Sequence, residues 1–419
     1  MTACTDKTLH PLRRDRGHPL GRAKSGSGAI SRPIPETLQL TRPPTLLYVD
    51  NSLATFISHR LPLARRAARH GYRVHVAAPL DSSPHPVEAS GLQFHPLPIA
   101  RASLSPFNAI RVITELVCIY RRIQPDLIHH LRLKPVLYGE LASRITRAPA
   151  VVNSLTGLGF AYCDESWRGR AMRSTVRAIL RASRRDGLRR FTFQNRDDFT
   201  VWRDQGICGE DDSSIMPGSG IETGELEAIP EPPGPPVVVL PARFLWHKGV
   251  SEFVEAARIL RGKICSTRFA LVGRTDPGNP GSIPQRTIDE WVASGAVENW
   301  GWSDDMRSIF ARCHTVCLPS YREGIPRVLL EASLAGRAIV TTDVAGCREV
   351  VRHGQSGLIV PPKDARSLSE ALSLLANDPL LRNTYAAEAR RRTIDLFSLD
   401  HVAAITLSIY SSLLVPRPT

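Results

Sequence analysis

No stretch of this 419-residue chain approaches the ~18 consecutive apolar residues that a bilayer-crossing helix needs. Residues 1–42 are rich in Arg, Lys, Gly, Ser and Pro and hold no apolar core segment, which a secretory leader requires. They are expected to form a disordered basic tail. The eight cysteines are scattered, and Cys313 and Cys317 have no second pair at metal-ligand spacing. Reduced, packed thiols are expected rather than a zinc site. No D-x-D motif ends a candidate strand. The pair Asp304-Asp305 reads as a helix start, with Asp304 as N-cap ahead of the apolar positions Met306, Ile309 and Phe310.

What is present fits a globular chain of two or three domains, with 42% apolar residues. The net charge of +14 suggests an anionic partner. Its distribution argues against nucleic acid, because basic residues concentrate in the first half. Residues 167–191 place Arg170, Arg173, Arg177, Arg181 and Arg184 at helical spacing, beside an apolar stripe of Met172, Val176, Ile179 and Leu180. The aromatics Phe160 and Tyr162 lie just before. A basic amphipathic helix of this kind suits an anionic membrane surface. A solvated basic face packed on the core by its apolar side is the alternative.

Short apolar runs alternate with helical patterns, which implies parallel sheets with right-handed crossovers. Strands are expected at 45–51, 72–77, 92–98, 126–129, 150–154 and 190–194, and helices at 58–70, 110–123 and 135–145. A Gly/Pro/Glu-rich linker covers 218–236. A second series follows, with strands at 237–243, 268–272, 297–300, 316–318 and 338–340. Its helices are expected at 251–261, 284–294 and 326–335, the last closed by Gly336. The expected domains are therefore 43–217 and 237–396, with a final helix in 397–419.

The most specific segment is P-S-Y-R-E-G-I-P-R-V-L-L-E, between two buried-strand runs. Glu323 lies on a strand-to-helix loop and Glu331 on the helix, eight residues later. Loops at the carboxyl ends of parallel strands are where open α/β sheets bind ligands. Carboxylates there can accept from sugar hydroxyls, while free backbone N–H groups meet a phosphate. Upstream, A-R-F-L-W-H-K-G places Arg243 at a strand end and Lys248 before a helix, two cations suited to a diphosphate.

From about Leu46 to about Leu396 the chain resembles the family-four retaining glycosyltransferases. Glu323 and Glu331 match that family's E-x₇-E motif, and G-Q-S-G-L-I-V-P-P follows it. The likeness is greatest to bacterial enzymes that build capsule, O-antigen or lipid-linked oligosaccharides. It implies the GT-B fold, α/β with two Rossmann-like domains facing across a cleft. It also implies transfer with retention from a nucleoside-diphosphate sugar, expected to be UDP-linked, to a lipid-linked glycan. The place implied is the cytoplasmic face of the membrane, with neither cofactor nor metal.

By the same resemblance Arg243, Lys248 and Glu323 are the catalytic candidates. Gly273, Trp302, Gly324, Ile325, Pro326 and Glu331 would contact the donor, although Trp302 is equally a packing residue. His59, Arg60, Lys134, Gly157 and Gly159 are the acceptor-side candidates, with His59 at a helix start. The loop after the first strand, D-N-S-L-A-T-F-I-S-H-R, lacks the glycines many relatives carry, and 156–159 lacks their histidine. A sugar-nucleotide epimerase of the same fold and a basic nucleic-acid-binding protein remain the rival readings.

Overall fold

A computed structural model describes residues 42–99, 105–157, 166–182, 189–224, 228–261 and 267–414. All of the expected tail 1–42 except Arg42 lies outside them, as do Gly159, Phe160, Tyr162 and Arg184. The first sheet holds β1 (Thr45–Val49), β2 (Arg73–Ala78), β3 (Gln93–Pro96), β4 (Leu127–Leu131), β5 (Val151–Leu155), β6 (Arg189–Phe193) and β7 (Ser213–Ile215), in the order β3-β2-β1-β4-β5-β6-β7. The second holds β8 (Val237–Pro241), β9 (Arg268–Val272), β10 (Glu298–Asn299), β11 (Thr315–Leu318), β12 (Ala338–Thr342) and β13 (Leu358–Val360), in the order β10-β9-β8-β11-β12-β13. Every strand pairing is parallel. Strands such as β1 and β8 are buried throughout, as their unbroken apolar runs require when helices cover both faces.

The helices in the first half are α1 (Leu53–His59), α2 (Leu61–Arg69), α3 (His85–Glu88), α4 (Pro106–Ile123), α5 (Leu133–Thr146), α6 (Trp167–Ala182) and α7 (Arg196–Asp204). The second half holds α8 (Val250–Leu260), α9 (Gln285–Ala293), α10 (Met306–Phe310), α11 (Arg327–Leu334), α12 (Ala345–Val350), α13 (Ala365–Asn377), α14 (Pro379–Phe397) and α15 (Leu399–Leu414). Between α14 and α15 the chain returns to the first sheet beside the linker, where Leu399 N–H donates to the Ile221 carbonyl at 2.8 Å. From there α15 packs against α2 and β4.

Three expectations change. The single helix at 58–70 is two helices. Ser52 caps α1, accepting from Thr55 N–H, and the chain breaks at Arg60 ahead of Pro62. His59 and Arg60 thus sit at a helix end and junction, not at a helix start. Asp305, not Asp304, caps α10 by accepting from Ser308 N–H, while Asp304 accepts from the Trp302 indole. Finally, α7 and β7 occupy a stretch that the hydrophobic pattern left unassigned.

Strand β4 runs two residues past its expected end, through His130 and Leu131, and carries two adjacent histidines. His129 and His130 are 2% and 0% exposed, so both need internal partners. His129 Nδ1 pairs with the Tyr410 hydroxyl on α15 at 2.6 Å, and its Nε2 pairs with Ser154 Oγ at 2.6 Å. His130 pairs with Asn153 Oδ1 and the Tyr120 hydroxyl, each at 2.8 Å. A Cβ on Gly139 would run into the His130 ring, which explains glycine there.

Burial pushes His130 down to about 4 and His129 well below the usual imidazole value. The folded state therefore binds fewer protons than the unfolded chain between about pH 4 and pH 6.5. Stability supplied by these neutral rings is full above the unfolded value and is lost on acidification. The buried carboxyls Asp50 and Asp198 and the half-buried Glu349, raised by desolvation, act in the opposite sense, but lowered histidines outnumber them. The melting temperature should therefore fall from pH 7 to pH 5, with proton uptake on unfolding. A flat profile over that range would contradict the neutral-histidine network.

Candidate active site

In the second sheet the strand order reverses between β8 and β11, and ligands of open α/β sheets bind at the carboxyl side of such a switch point. Two loops meet there. One leaves β8 through Arg243, makes a single 3-10 turn (Trp246–Lys248), and passes Gly249 into α8. Gly249 has φ +71°, and a Cβ there would strike the Pro319 carbonyl of the β11–α11 loop. Glycine thus lets the loops touch, and Tyr321 N–H donates to the His247 carbonyl at 2.9 Å.

Across this contact Lys248 Nζ donates to Glu323 Oε1, the same oxygen that accepts from Ser320 Oγ at 2.7 Å. Both side chains are mostly buried, at 18% and 12% exposure, so the pair is shielded from water. An ammonium has three N–H donors, so Lys248 can hold Glu323 and an anion together. Arg243 leaves the same strand end but turns to Asp276 at 2.7 Å and is more exposed. Glu331, on the first turns of α11, accepts from Arg327 Nε at 2.8 Å. Arg327 also donates to the Ser58 carbonyl of the first half at 2.7 Å. The two glutamates of the motif are each held by a separate cation.

The remaining expected residues fall around these loops. Gly273 ends β9 and donates from its N–H to the Gly301 carbonyl at 2.8 Å. A Cβ there would meet the Ala242 carbonyl, so it is neighbouring backbone that comes close to this glycine. Trp302 is 48% exposed, and Arg274 covers one of its faces at 4.6 Å. Gly324 packs against the first half, Ile325 N–H donates to Gln194 Oε1 at 3.0 Å, and Pro326 is the N-cap residue of α11.

The described acceptor-side candidates each have their own surroundings. His59 is held by Ser58 Oγ at 2.6 Å, and burial with the nearby Arg327 charge pushes it down to about 4. Arg60 is only 7% exposed and lines a small cavity with His129, Ser154, Thr192, Gln194 and Tyr410. Lys134 opens α5, beside the first sheet's own switch point between β1 and β4. Gly157, at φ +138°, follows β5.

Sequence reasoning missed three residues here. Arg327 was legible from its i,i+4 spacing to Glu331. Gln194 gave no local signal, since its partner lies 131 positions away. Arg132, at φ +73°, bonds Asn51 Oδ1 at 2.9 Å across the β1–β4 switch point. Nothing in a one-dimensional pattern marks such a backbone.

A profile of "Glycosyl transferase 4-like" proteins matches residues 45–186, and one of "Glycosyl transferases group 1" matches 235–378. The N,N'-diacetylbacillosaminyl-diphospho-undecaprenol alpha-1,3-N-acetylgalactosaminyltransferase of Campylobacter jejuni is 28% identical over 376 residues, covering 87% of this chain and 97% of that protein. The capsular polysaccharide biosynthesis glycosyltransferase CapM of Staphylococcus aureus is 26% identical over 172 residues, 41% of this chain and 45% of its own length. Among solved structures, Anabaena HepE in complex with UDP and glucose superposes with a TM-score of 0.70 at 18% identity, over 88% of this chain and all of that one. The two profiles together span more than half of the sequence, the two parallel sheets match the fold, and the chain belongs to the family-four glycosyltransferases of GT-B architecture.

Proposed function

We propose that this glycosyltransferase moves a sugar, with retention and without a metal, from UDP to a lipid-linked glycan in surface polysaccharide synthesis. The observation that carries this reading is the Lys248–Glu323 pair at the second sheet's switch point, with Glu331 on the helix that follows. Lys248 and Arg243 would neutralise the diphosphate as it leaves, the task a metal performs in other transferases. Glu323 Oε1 is already held by two donors, which orients the carboxylate toward sugar hydroxyls. Glu331 would accept from the ribose once Arg327 shares it. The HepE complex supports a UDP donor, and the Campylobacter relative supports a polyprenyl-diphosphate acceptor.

Incubation with a UDP-sugar and a polyprenyl-diphosphate-linked acceptor should give a lengthened lipid and free UDP, unaffected by EDTA. An epimer formed from UDP-sugar alone would favour the epimerase. DNA binding with a steep salt dependence and no response to UDP would favour the nucleic-acid reading. Loss of transfer in EDTA, restored by Mg²⁺ or Mn²⁺, would contradict the metal-free mechanism.

The acceptor would be met at an anionic membrane surface. Helices α4, α5 and α6 follow β3, β4 and β5, so each starts at the carboxyl edge of the first sheet. There Phe107, Ile110 and Trp167 are 84%, 62% and 68% exposed, and the exposed Arg170 lies three residues after Trp167. Along α6, Val176 and Leu180 are buried while Arg170 and Arg177 are exposed. The helix thus packs by its apolar stripe and keeps part of its basic face outward. Arg181 is exposed as well and donates to the Gln205 and Gly206 carbonyls. Each Arg near anionic lipid contributes about 1 kcal/mol, so Arg170→Gln with Arg177→Gln should weaken vesicle binding by about 2 kcal/mol, roughly 30-fold. UDP binding should not change. Equal sedimentation of variant and parent with anionic liposomes would contradict membrane docking by this face.

A further inference from the structure

The turn between β6 and α7 reaches from the first sheet to the loop that carries Glu323. Gln194 Oε1 accepts from Ile325 N–H at 3.0 Å. A Cβ on Gly324 would run into that same oxygen and would lie 2.6 Å from the Thr156 carbonyl. On the opposite side, a Cβ on Gly346 would strike the Gly324 carbonyl and lie 2.8 Å from the Glu323 carbonyl. The peptide following Glu323 is therefore fixed from both halves of the molecule, and the missing side chains at 324 and 346 make room for it. By contrast, among the described residues the Glu323 carboxylate is held by Lys248 and Ser320, both in the second half.

The same turn is rigid. Asn195 caps α7, accepting from Asp198 N–H at 2.8 Å and donating to Asp198 Oδ2 at 3.2 Å. Asp198, with its side chain 8% exposed, lies 3.5 Å from Arg322, the residue before Glu323. Asp197 pairs with Arg348 on α12. Three contacts, from Gln194, Asp197 and Asp198, thus join the β6–α7 turn and the start of α7 to the donor side, and the one from Gln194 uses no charge.

We propose that Gln194 is a positioning residue for transfer: it holds the Glu323 loop through the Ile325 N–H, so that Glu323 is aimed only when the two halves are closed on one another. Asp197 and Asp198 act with it as an electrostatic latch on Arg348 and Arg322. The proposal rests on the transferase reading. It goes beyond that reading by making the acceptor-side half contribute to donor-side geometry. Nucleotide binding by Arg243, Lys248 and Glu331 lies within the second half and does not need Gln194. Turnover does.

The test uses the full chain, with UDP as the binding probe and, as substrate, the UDP-sugar from which it releases UDP fastest. Gln194→Ala should lower kcat for UDP release on the order of 10-fold, since small misplacements of reacting groups cost up to about 10²-fold. The Kd for UDP should be unchanged. Gln194→Glu, which keeps an acceptor oxygen for the Ile325 N–H, should recover most of kcat. Should Gln194→Ala fail to fold, Gln194→Asn, too short to reach Ile325, is read in its place. Parental kcat in the shortened variant would overturn the proposal. So would parallel loss of UDP affinity and kcat with no recovery in Gln194→Glu, because that pattern marks a general structural role. Absence of UDP binding by the parent overturns the transferase reading itself, and the proposal with it.

Discussion

Glu323→Gln should turn over at roughly one-hundredth of the parental rate or less, the scale of losing one well-placed electrostatic contact in a transition state. The amide keeps an oxygen for Lys248 and Ser320, so the loop should hold its shape. What disappears is the negative charge that, on the proposed reading, would face the developing positive character of the transferred sugar. The KM for the UDP-sugar should change far less than kcat, because the cations proposed to hold the diphosphate remain. Glu331→Gln should show the converse pattern, a raised KM with a smaller fall in kcat, since a ribose contact is equal in ground and transition states. Parental kcat for Glu323→Gln in steady-state kinetics would remove Glu323 from the site.

Loss of Lys248 should be the most damaging single change, because it acts twice. Lys248→Ala removes a cation from the leaving diphosphate, and kcat should fall by roughly 10²-fold. It also strands Glu323 in a mostly buried position. Breaking a buried pair costs about 3–5 kcal/mol, and the residual exposure of this pair brings the expected loss nearer the lower end. A double variant separates the two effects. Lys248→Met with Glu323→Gln leaves no unpaired charge, so it should regain thermal stability without regaining turnover. Arg243→Ala should lower kcat with little change in melting temperature, since its partner Asp276 is a more exposed carboxylate. Activity returning together with stability in the double variant would show that the pair is structural only.

Much of this site was legible in the sequence because it is built from local order. The apolar run of β11, the loop P-S-Y-R-E-G-I-P, and the helix closed by Gly336 at φ +73° were each readable from their own residues. So was β8 followed by Arg243, Lys248 and Gly249. The pairing of Lys248 with Glu323, 75 positions apart, followed only from strand order, which local patterns do not fix. The extension of β4 through His130 and Leu131 was hidden because a buried imidazole needs partners, and those of His130, Tyr120 and Asn153, lie on other elements. The split of α1 from α2 was signalled by Pro62 but masked by the continuous helical periodicity around it. Helix α7 carried a readable start, Asn195 with Asp198 three residues on, in a stretch otherwise too polar to attract notice.

The central claim is that the loops leaving β8 and β11 form a nucleoside-diphosphate site. Calorimetric titration of UDP into the parent chain and into the Arg243→Ala, Lys248→Ala double variant tests it most directly. Saturable one-site binding by the parent, accompanied by a rise in melting temperature, and its loss in the folded double variant are the expected results. Undiminished UDP binding after both cations are removed would contradict the claim.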